Sequence, residues 1–571
     1  MINVSQYFRN FVFIVTLLAL ASCEVFNEKS KNTEITVFRN GIILTVDQGF
    51  SVAEALAIEN NKIIAVGTEE EVLATIGSSY KTYDLKGQTL LPGFIDAHAH
   101  IVAGGTASNG MEYVGMERYR TTDEVLSFLK ELASSKPAGE WIGARNWDPS
   151  LQDGPSELTT NDLDAISTDH PILITNASGH LAYANSKAFE LAGITDEVVN
   201  PEGAEFVKDD NGKLTGVMIN LVAFMQVWLA NPEVKNADPV TGIIKATKMV
   251  NEVGITTTSE LALGAFMGSS IEADILFQIA ESGDLKTRIR AYPSYVIENS
   301  WDTSKYTMNH GNAMVRLAGY KLVADGSNQG FTGLQRDPYH CCGGHGNTYT
   351  TAEELNRLVL DRGNEGWQLA IHGNGDKGID NILDALENAQ KAGVDLAANR
   401  PRIEHCSILH DEQIQRMKAL NVSASFLIGH VHYWGTFMRD SVFGPQKVEL
   451  LDRCASVEKA GIGFTLHSDF TVTNPNPLHM MEMAVTRKTW KEPDYVLAPS
   501  EKISIESAIR AMTSEAAWQL SSEHEIGSLE VGKLADMVII SSDPRSVEPD
   551  AIKDIKIIET WVNGEPVYIN K

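Results

Sequence analysis

Two histidines, His98 and His100, stand one residue apart at the end of the largely apolar run 91–97. Residues two apart on a β-strand point to the same side, so both imidazoles can face one object. Neutral imidazole pairs converge most often on a divalent metal ion. The pair therefore indicates a metal site at the end of a buried strand. The alternative is that two polar residues simply end a core strand, and further ligands downstream would distinguish a metal site from it.

Further polar residues stand at or near the ends of other apolar runs. Lys321 lies within one such run, and Asp469 follows another. His372 and His405 each close a strand-like run. Taken singly, a buried lysine is expected to pair with a carboxylate and an aspartate after a strand to cap a helix. Their shared position at strand ends instead predicts one constellation, at the face where barrel enzymes place catalytic groups.

The elements that must position these residues form a regular alternation of strands and helices. Helical patterns such as 239–253, 271–281, 351–362, 379–392 and 411–420 separate most of the strands. This alternation predicts an α/β fold, a TIM-like (β/α)8 barrel. The eight strands are expected at residues 93–98, 255–260, 287–294, 315–324, 367–372, 401–405, 422–426 and 461–468.

The rest of the chain predicts two additions to the barrel. Short β-rich runs with turn signals at residues 34–90 and 525–571 predict one small β-sandwich built from both termini. The catalytic barrel is then expected over 91–524. Within it, residues 105–237 are too long for one crossover and predict an inserted α/β cap subdomain over the barrel mouth.

The first residues read as a targeting segment rather than as structure. Arg9 precedes the short apolar run 11–21, and residues 1–22 fit a signal peptide. The run ends in a sequence that resembles the lipobox of bacterial lipoproteins, with Cys23 as the residue to be lipidated. Residues 23–33 then form a tether, and the protein is expected to be lipid-anchored in the bacterial cell envelope, facing the periplasm or the cell surface. The alternative is an ordinary secretory signal with an incidental cysteine.

Composition limits the classes of partner. The 571 residues are 43% hydrophobic and 21% charged, which is typical of a folded globular protein. Lys+Arg 47 against Asp+Glu 75 gives a net charge of −28, which argues against nucleic acid as a partner of the folded body. The remaining cysteines follow no metal-binding spacing and are too few for a disulfide framework; they are Cys341, Cys342, Cys406 and Cys454. Neighbouring cysteines such as Cys341 and Cys342 rarely bridge each other, and a single disulfide among the four is left open and unassigned. Oligomeric state is left open.

Several motifs together carry a family resemblance. They are LPGFIDAHAH at 91–100, HLAYANSKA at 180–188, KLVADGSNQGF at 321–331, IHGNGD at 371–376, RIEHC at 402–406, HSDFTV at 467–472 and IGSLEVGKLADMVII at 526–540. On these residues the chain resembles the amidohydrolase superfamily, in particular amidohydrolase family 3, the branch that includes N-substituted formamide deformylase. The resemblance extends over about residues 33–568.

The resemblance implies a set of metal ligands. One or two divalent ions per chain, Zn²⁺ by expectation, would be held by His98, His100, His372, His405 and Asp469. Lys321 would bridge two ions as a carbamate formed from CO₂, because an ammonium cannot ligate a cation whereas a carboxylated lysine is an oxygen donor. If Lys321 stays an amine, the site is expected to hold one metal ion, and Lys321 would form an ion pair or bind the substrate. Glu260 is an alternative carboxylate that could ligate or bridge.

The resemblance also implies a mechanism. A metal-bound hydroxide would attack a carbonyl, with Asp469 acting first as general base and then as general acid. His180, in the cap, would contact the substrate or the developing oxyanion; the alternative is a surface histidine before a helix. Trp147, His430 and His432 are candidate substrate contacts. The alternative interpretations are aromatic packing within the cap for Trp147 and a position at the start of a helix for the two histidines.

The expected activity is metal-dependent hydrolysis of a carbon–nitrogen bond in a small molecule: a non-peptide amide, an N-acyl amine, a cyclic amide or a carbamate. An ester or lactone is a second substrate class, since the same machinery barely distinguishes the leaving atom. A non-catalytic lipoprotein that binds ligand through a degenerate barrel is the third hypothesis. The intact set of candidate ligands argues against it.

Overall fold

A computed structural model describes residues 34–107, 110–201, 204–236 and 238–570. The predicted signal peptide, the lipidation site Cys23 and the tether lie outside the described residues. Within those ranges, no helix is both long enough and apolar enough to cross a membrane.

The strands of the described chain are numbered here in sequence order. They are β1 Ile35–Leu44, β2 Val52–Glu59, β3 Lys62–Gly67, β4 Lys81–Asp84, β5 Thr89–Pro92, β6 Phe94–Asp96, β7 Glu112–Tyr113, β8 Ile142–Trp147, β9 Ile172–Asn176, β10 Leu181–Ala184, β11 Glu205–Lys208, β12 Leu214–Ile219, β13 Ile255–Leu263, β14 Arg288–Pro293, β15 Val315–Leu317, β16 Tyr320–Val323, β17 Leu369–Gly373, β18 Arg402–His405, β19 Ser423–Phe426, β20 Phe464–Leu466, β21 Met537–Ile540, β22 Ile557–Val562 and β23 Glu565–Ile569.

The α-helices of the same residues lie mainly between the strands. They are Glu69–Ile76, Ile101–Ala107, Thr122–Ser135, Thr160–Asp164, Ser186–Ala192, Leu221–Trp228, Pro232–Lys235, Pro239–Glu252, Ile271–Ser282, Glu298–Asp302, Ala352–Asn364, Asp376–Lys391, Leu396–Asn399, Asp411–Leu420, Gly429–His432, Gly435–Phe437, Gly444–Lys447, Cys454–Lys459, Pro477–Thr486, Ile505–Ala511 and Ser514–Gln519.

Two arcs of parallel strands make the barrel. One arc has the order β15-β14-β13-β6 and the other β16-β17-β18-β19-β20. Parallel bridges from Ser294 to Lys321 and from Ala99 to Phe470 join the arcs on both sides. Most residues of these strands are buried, as expected for a parallel sheet covered by helices. The predicted α/β barrel is confirmed.

One predicted strand, residues 315–324, is in fact two. β15 pairs with β14, whereas β16 pairs with β17. The break falls at Gly319, where a Cβ would meet the ring of Tyr292 and lie 2.6 Å from the carbonyl oxygen of Gln368. Only a residue without a side chain fits this close approach, and the chain passes there from one arc to the other.

The two ends of the described chain share one sheet. Its order is β23-β22-β21-β5-β1-β2-β3, with β4 beside β1, so strands from residues 35–92 and 537–569 make one continuous eight-stranded sheet. β5 leads through Gly93 directly into β6, the first barrel strand. This sheet therefore fixes the start of the segment that carries His98 and His100.

The long segment between β6 and β13 has its own sheet and cores. Six strands pair in the order β11-β12-β10-β9-β8-β7, and the helices Thr122–Ser135 and Ser186–Ala192 belong to the same segment. Its apolar residues form clusters separate from the barrel core, around Val125 and Leu129 on one side and Phe206 and Phe224 on the other. The segment contacts the barrel mouth, where Asn146 Nδ2 donates to the carbonyl oxygen of Thr471 at 2.8 Å.

Candidate metal centre

Three predicted ligands meet at the carboxyl ends of the barrel strands. His98 Nε2 lies 3.3 Å and His100 Nε2 3.2 Å from Asp469 Oδ1. One ligand atom from each of the three residues falls within 4.8 Å of the others. The three side chains reach this point from the segments that follow β6 and β20, which are neighbours in the closed barrel.

The other three predicted ligands surround this group. Lys321 Nζ lies 3.5 Å from His98 Nε2. His405 Nδ1 lies 4.0 Å from Asp469 Oδ2, and His405 Nε2 lies 3.0 Å from His372 Nδ1. The structure thus brings all six predicted side chains into one continuous cluster.

A fifth histidine, His467, belongs to the cluster and was not predicted. With His98 and His405 it makes a second group of three ligand atoms within 4.8 Å, and its ring stacks on His98 at 4.5 Å between centroids. His467 stands two residues before Asp469. That spacing, the same as in the opening pair, is the sequence signal that could have identified it.

Glu260, the alternative carboxylate, reaches His100. Its Oε1 lies 3.6 Å from His100 Nδ1. Its Oε2 accepts hydrogen bonds from the backbone N–H of Val102 at 2.5 Å and of Ala103 at 3.3 Å. One oxygen therefore caps the helix after β6, and the other faces the cluster.

A buried carboxylate that sequence reasoning missed orients His98. Glu404 Oε2 lies 2.6 Å from His98 Nδ1, and Arg402 donates to both oxygens of Glu404. Burial would raise the pKa of Glu404, but Arg402 and His98 hold it well below its usual range. An acceptor on Nδ1 fixes the imidazole and leaves Nε2 free for a metal. Arg402 and Glu404 alternate along β18, a pattern of two charged residues in a buried strand that could have signalled such a pair.

The backbone is unusual where two ligands sit. His405 has φ 70° and Asp469 φ 52°, in the left-handed region that side chains other than glycine seldom adopt. In a regular strand, Glu404 and His405 would point to opposite faces. The left-handed conformation at His405 lets both neighbours face the site. Such conformations cluster at functional sites.

The electrostatics favour neutral imidazoles at His372, His405 and His467 and an anionic Asp469, whereas the carboxylates of Asp469 and Glu260 outweigh burial and raise the pKa of His100 to about 9. Burial holds the pKa of His372, His405 and His467 well below the usual value. Burial opposes ionisation of Asp469, yet the nearby histidines hold its pKa well below its usual range. Burial lowers the pKa of Lys321 to about 8. The neutral histidines and the anionic Asp469 are in the forms that ligate a metal, and a cation bound in the cluster would displace the proton of His100.

Several polar atoms of the cluster lack a partner among the described residues. His405 Nδ1, His467 Nδ1 and Glu260 Oε1 are buried without a hydrogen bond. Buried polar atoms are almost always satisfied, so each orphan requires an explanation. A divalent cation among them would accept their lone pairs, and imidazole nitrogens with carboxylate oxygens are ligands typical of zinc and similar ions. The residues present fit a divalent metal.

The cap places His180 at the barrel mouth. Its Nδ1 lies 3.3 Å from the hydroxyl of Tyr349, which belongs to the loop after β16. Burial lowers the pKa of His180, while the charge of Asp469 acts to raise it. His180 is therefore a neutral histidine within electrostatic reach of the candidate centre.

The three predicted substrate contacts have different positions. His430 is buried beside the cluster, with its ring 6.4 Å from that of His405 and its Nδ1 3.2 Å from Ser407 Oγ. His432 points elsewhere: its Nδ1 lies 2.8 Å from the carbonyl oxygen of Lys488, and its ring meets Trp490. The prediction of a substrate contact by His432 is thus corrected to a packing role.

Trp147 is also corrected. Its side chain is fully buried in the core of the cap, packs edge-on against Tyr183 and donates from Nε1 to Thr122 Oγ1 at 3.1 Å. A side chain enclosed by its own subdomain does not line the barrel mouth. Trp147 instead has the alternative role, aromatic packing within the cap.

Comparison with known proteins agrees with this geometry. The model of the amidohydrolase family matches residues 81–568. Protein LONG AFTER FAR-RED 3 of Arabidopsis thaliana is 28% identical over 93% of this chain and 91% of its own length. N-substituted formamide deformylase of Arthrobacter pascens is 26% identical over 92% of this chain and 96% of its own length.

A solved structure shares the fold. The crystal structure of an uncharacterized metal-dependent hydrolase from Pyrococcus horikoshii superposes with a TM-score of 0.71 at 24% identity, over 90% of this chain and 99% of that one. At this identity the likeness shows the fold alone. The family resemblance expected from the sequence motifs is confirmed by the match over residues 81–568.

Proposed function

Since this chain belongs to the amidohydrolase family, we propose that it is a metal-dependent hydrolase that cleaves the carbon–nitrogen bond of a small molecule. The substrate class is a non-peptide amide, an N-acyl amine, a cyclic amide or a carbamate. The observation that carries the proposal is the cluster of His98, His100 and Asp469, with ligand atoms within 4.8 Å of one another at the barrel mouth. That N-substituted formamide deformylase is a relative over most of the chain supports the bond type.

His98, His100, His372, His405 and Asp469 would hold the metal, with Zn²⁺ as the proposed ion. Bound there, a divalent ion lowers the pKa of a water molecule and polarises the carbonyl of the substrate. His467, grouped with His98 and His405, and Glu260, beside His100, are further candidate ligands.

Asp469 is the proposed proton carrier. It would take a proton from the attacking water and return it to the departing nitrogen. Its two oxygens have different neighbours, with His98 and His100 near Oδ1 and His405 near Oδ2. His180 would bind the carbonyl oxygen of the substrate from the cap side.

Lys321 would carry a carbamate. A lysine with a pKa of about 8 holds more neutral amine at neutral pH than an ordinary lysine, and the neutral amine is the form that reacts with CO₂. The carbamate would add oxygen donors beside His98, from which Nζ is 3.5 Å away. We further propose lipid anchoring through Cys23 in the cell envelope, on the basis of the N-terminal sequence.

Matched substrates test the bond type. Hydrolysis rates are measured for an anilide and a phenyl ester of the same acid, with the wild type and with Asp469→Asn. An amide leaving group needs a proton and a phenolate does not, so both rates should fall, with the anilide rate falling further. If the wild type turns over the ester alone, the enzyme is an esterase and the proposed bond class is wrong.

A further inference from the structure

Two adjacent thiols lie on the loop between β16 and the helix Ala352–Asn364, residues 324–351, here called the β16 loop. Cys341 and Cys342 are both exposed, and their sulfur atoms are 2.7 Å apart. The other cysteines of the described chain, Cys406 and Cys454, are fully buried. Among the described cysteines, Cys341 and Cys342 are therefore the two that a reagent in solution can reach.

The loop holds the pair in a fixed position. A turn presents it, because Tyr339 N–H donates to the carbonyl oxygen of Gly344 at 3.0 Å. The backbone N–H of His340 donates to Val442 O and that of Cys341 to Ser441 O, both at 3.0 Å. Both thiols are thus held side by side against the segment that follows β19.

Adjacency sets the chemistry of such a pair. Neighbouring Cα atoms are about 3.8 Å apart, whereas disulfide-bonded cysteines usually have Cα atoms roughly 4.4–6.8 Å apart. A bond between neighbours therefore forms only with a change of backbone, which makes it easier to reduce than a structural disulfide. Such a bond suits reversible modification rather than permanent cross-linking.

We propose that Cys341 and Cys342 form a reversible thiol–disulfide site, closed by exchange with a small-molecule disulfide and reopened by a thiol. This site lies outside the candidate metal centre and does not depend on the proposed function. The loop that carries it begins at the end of the Lys321 strand and contacts His180 through Tyr349. The modification therefore falls on an element that borders the candidate centre.

The exchange is a two-electron oxidation of the thiol pair by the small-molecule disulfide. Cys341 Sγ donates its hydrogen to Cys342 Sγ. The thiolate of Cys342, the acceptor of this hydrogen bond, attacks first, breaks the S–S bond of the oxidant and releases one thiol. Cys341 then loses its proton and attacks the sulfur of Cys342, which forms the intramolecular bond and releases the second thiol. The protein loses two hydrogens and the disulfide oxidant gains them.

Redox titration of the full chain tests the proposal. Reduced protein is equilibrated with oxidised and reduced glutathione at a series of ratios, trapped with N-ethylmaleimide and digested with trypsin. Residues 337–357 form one tryptic peptide, which contains both cysteines and no other. As the buffer becomes more oxidising, both alkyl groups should disappear from this peptide together, leaving a mass about 2 Da below that of the dithiol. Dithiothreitol should restore double alkylation.

Two variants sharpen the result. In Cys342→Ser, the remaining Cys341 cannot close a ring, so a glutathione adduct should persist where the wild type shows none. Cys406→Ser should titrate as the wild type, because Cys406 is buried and takes no part. A peptide that stays doubly alkylated at every ratio, that carries two glutathiones, or that appears in disulfide-linked dimers would overturn the proposal.

Discussion

Replacing Glu404 with glutamine tests how the site is oriented. Glu404 is fully buried between Arg402 and His98, and its Oε2 lies 2.6 Å from His98 Nδ1. A glutamine offers one acceptor where the carboxylate offers two. It therefore cannot accept from both Arg402 and His98, and its amide N–H₂ faces one of these donors.

Glu404→Gln should lower both the metal affinity and the stability of the fold. Loss of a group that orients a metal-binding histidine lowers metal affinity by about 10- to 100-fold, or about 1.4–2.8 kcal/mol at about 1.4 kcal/mol per tenfold. Removal of one partner from a buried ion pair also destabilises the fold by about 3–5 kcal/mol, because Arg402 is left uncompensated. Glu404→Asp keeps the charge but withdraws the oxygens from His98, so it should lose affinity with a smaller loss of stability.

The assay combines competition with a chromophoric zinc chelator and urea unfolding of the metal-free protein. Glu387→Gln is the matched control: Glu387 pairs with Arg416 at 2.7 Å on the partly exposed surface. Such a pair contributes about 0–1 kcal/mol, so the control should change neither quantity measurably. If Glu404→Gln binds zinc as tightly as the wild type and unfolds at the urea concentration of the control, the orienting role of Glu404 is refuted.

Three further predictions address other parts of the molecule. Lys321→Ala should lose metal and partly regain it when a short carboxylic acid is added, as measured by elemental analysis; unchanged metal content would contradict a bridging carbamate. Trp147→Phe should lose about 1 kcal/mol of stability with the hydrogen bond to Thr122 and a further amount for the cavity that the smaller ring leaves in the core of the cap, while its metal content stays that of the wild type; a wild-type stability with a raised KM would instead return Trp147 to the substrate pocket. Hydrogen bonds with His410 and Lys447 outweigh the effect of burial and lower the pKa of Asp376 from 3.8 to about 2. The ionised Asp376 therefore contributes about 2 kcal/mol to the free energy of unfolding above pH 3.8, and this contribution is lost as the pH falls towards 2. In urea unfolding, the difference in stability between the wild type and Asp376→Asn should narrow over that range; a constant difference would refute the linkage.

The sequence predicts the barrel and the six clustered side chains because both depend on local signals. Strand ends marked by His98, His372 or His405 read directly as apolar runs that stop at a polar residue. Closing the barrel brings all carboxyl strand ends to one face, so side chains far apart in sequence meet without any further information.

What the sequence could not predict depends on contacts between distant strands. Glu404 orients His98 only because β18 and the end of β6 face each other across the barrel, 306 positions apart in the chain. The break at Gly319 follows from the ring of Tyr292 and the backbone of Gln368, which no local pattern shows. Trp147 is an example of the reverse: it was a candidate substrate contact in the sequence, and packing inside the cap decided otherwise.

The central claim is that the histidine cluster holds a divalent metal. Its most direct measurement is the metal content of purified full chain by elemental mass spectrometry, before and after exposure to zinc and removal of the excess. The account predicts at least about one zinc-like ion per chain, with His98→Ala and Asp469→Ala each losing it while their circular dichroism stays that of the wild type. Less than one ion per chain that added metal does not restore would contradict the account.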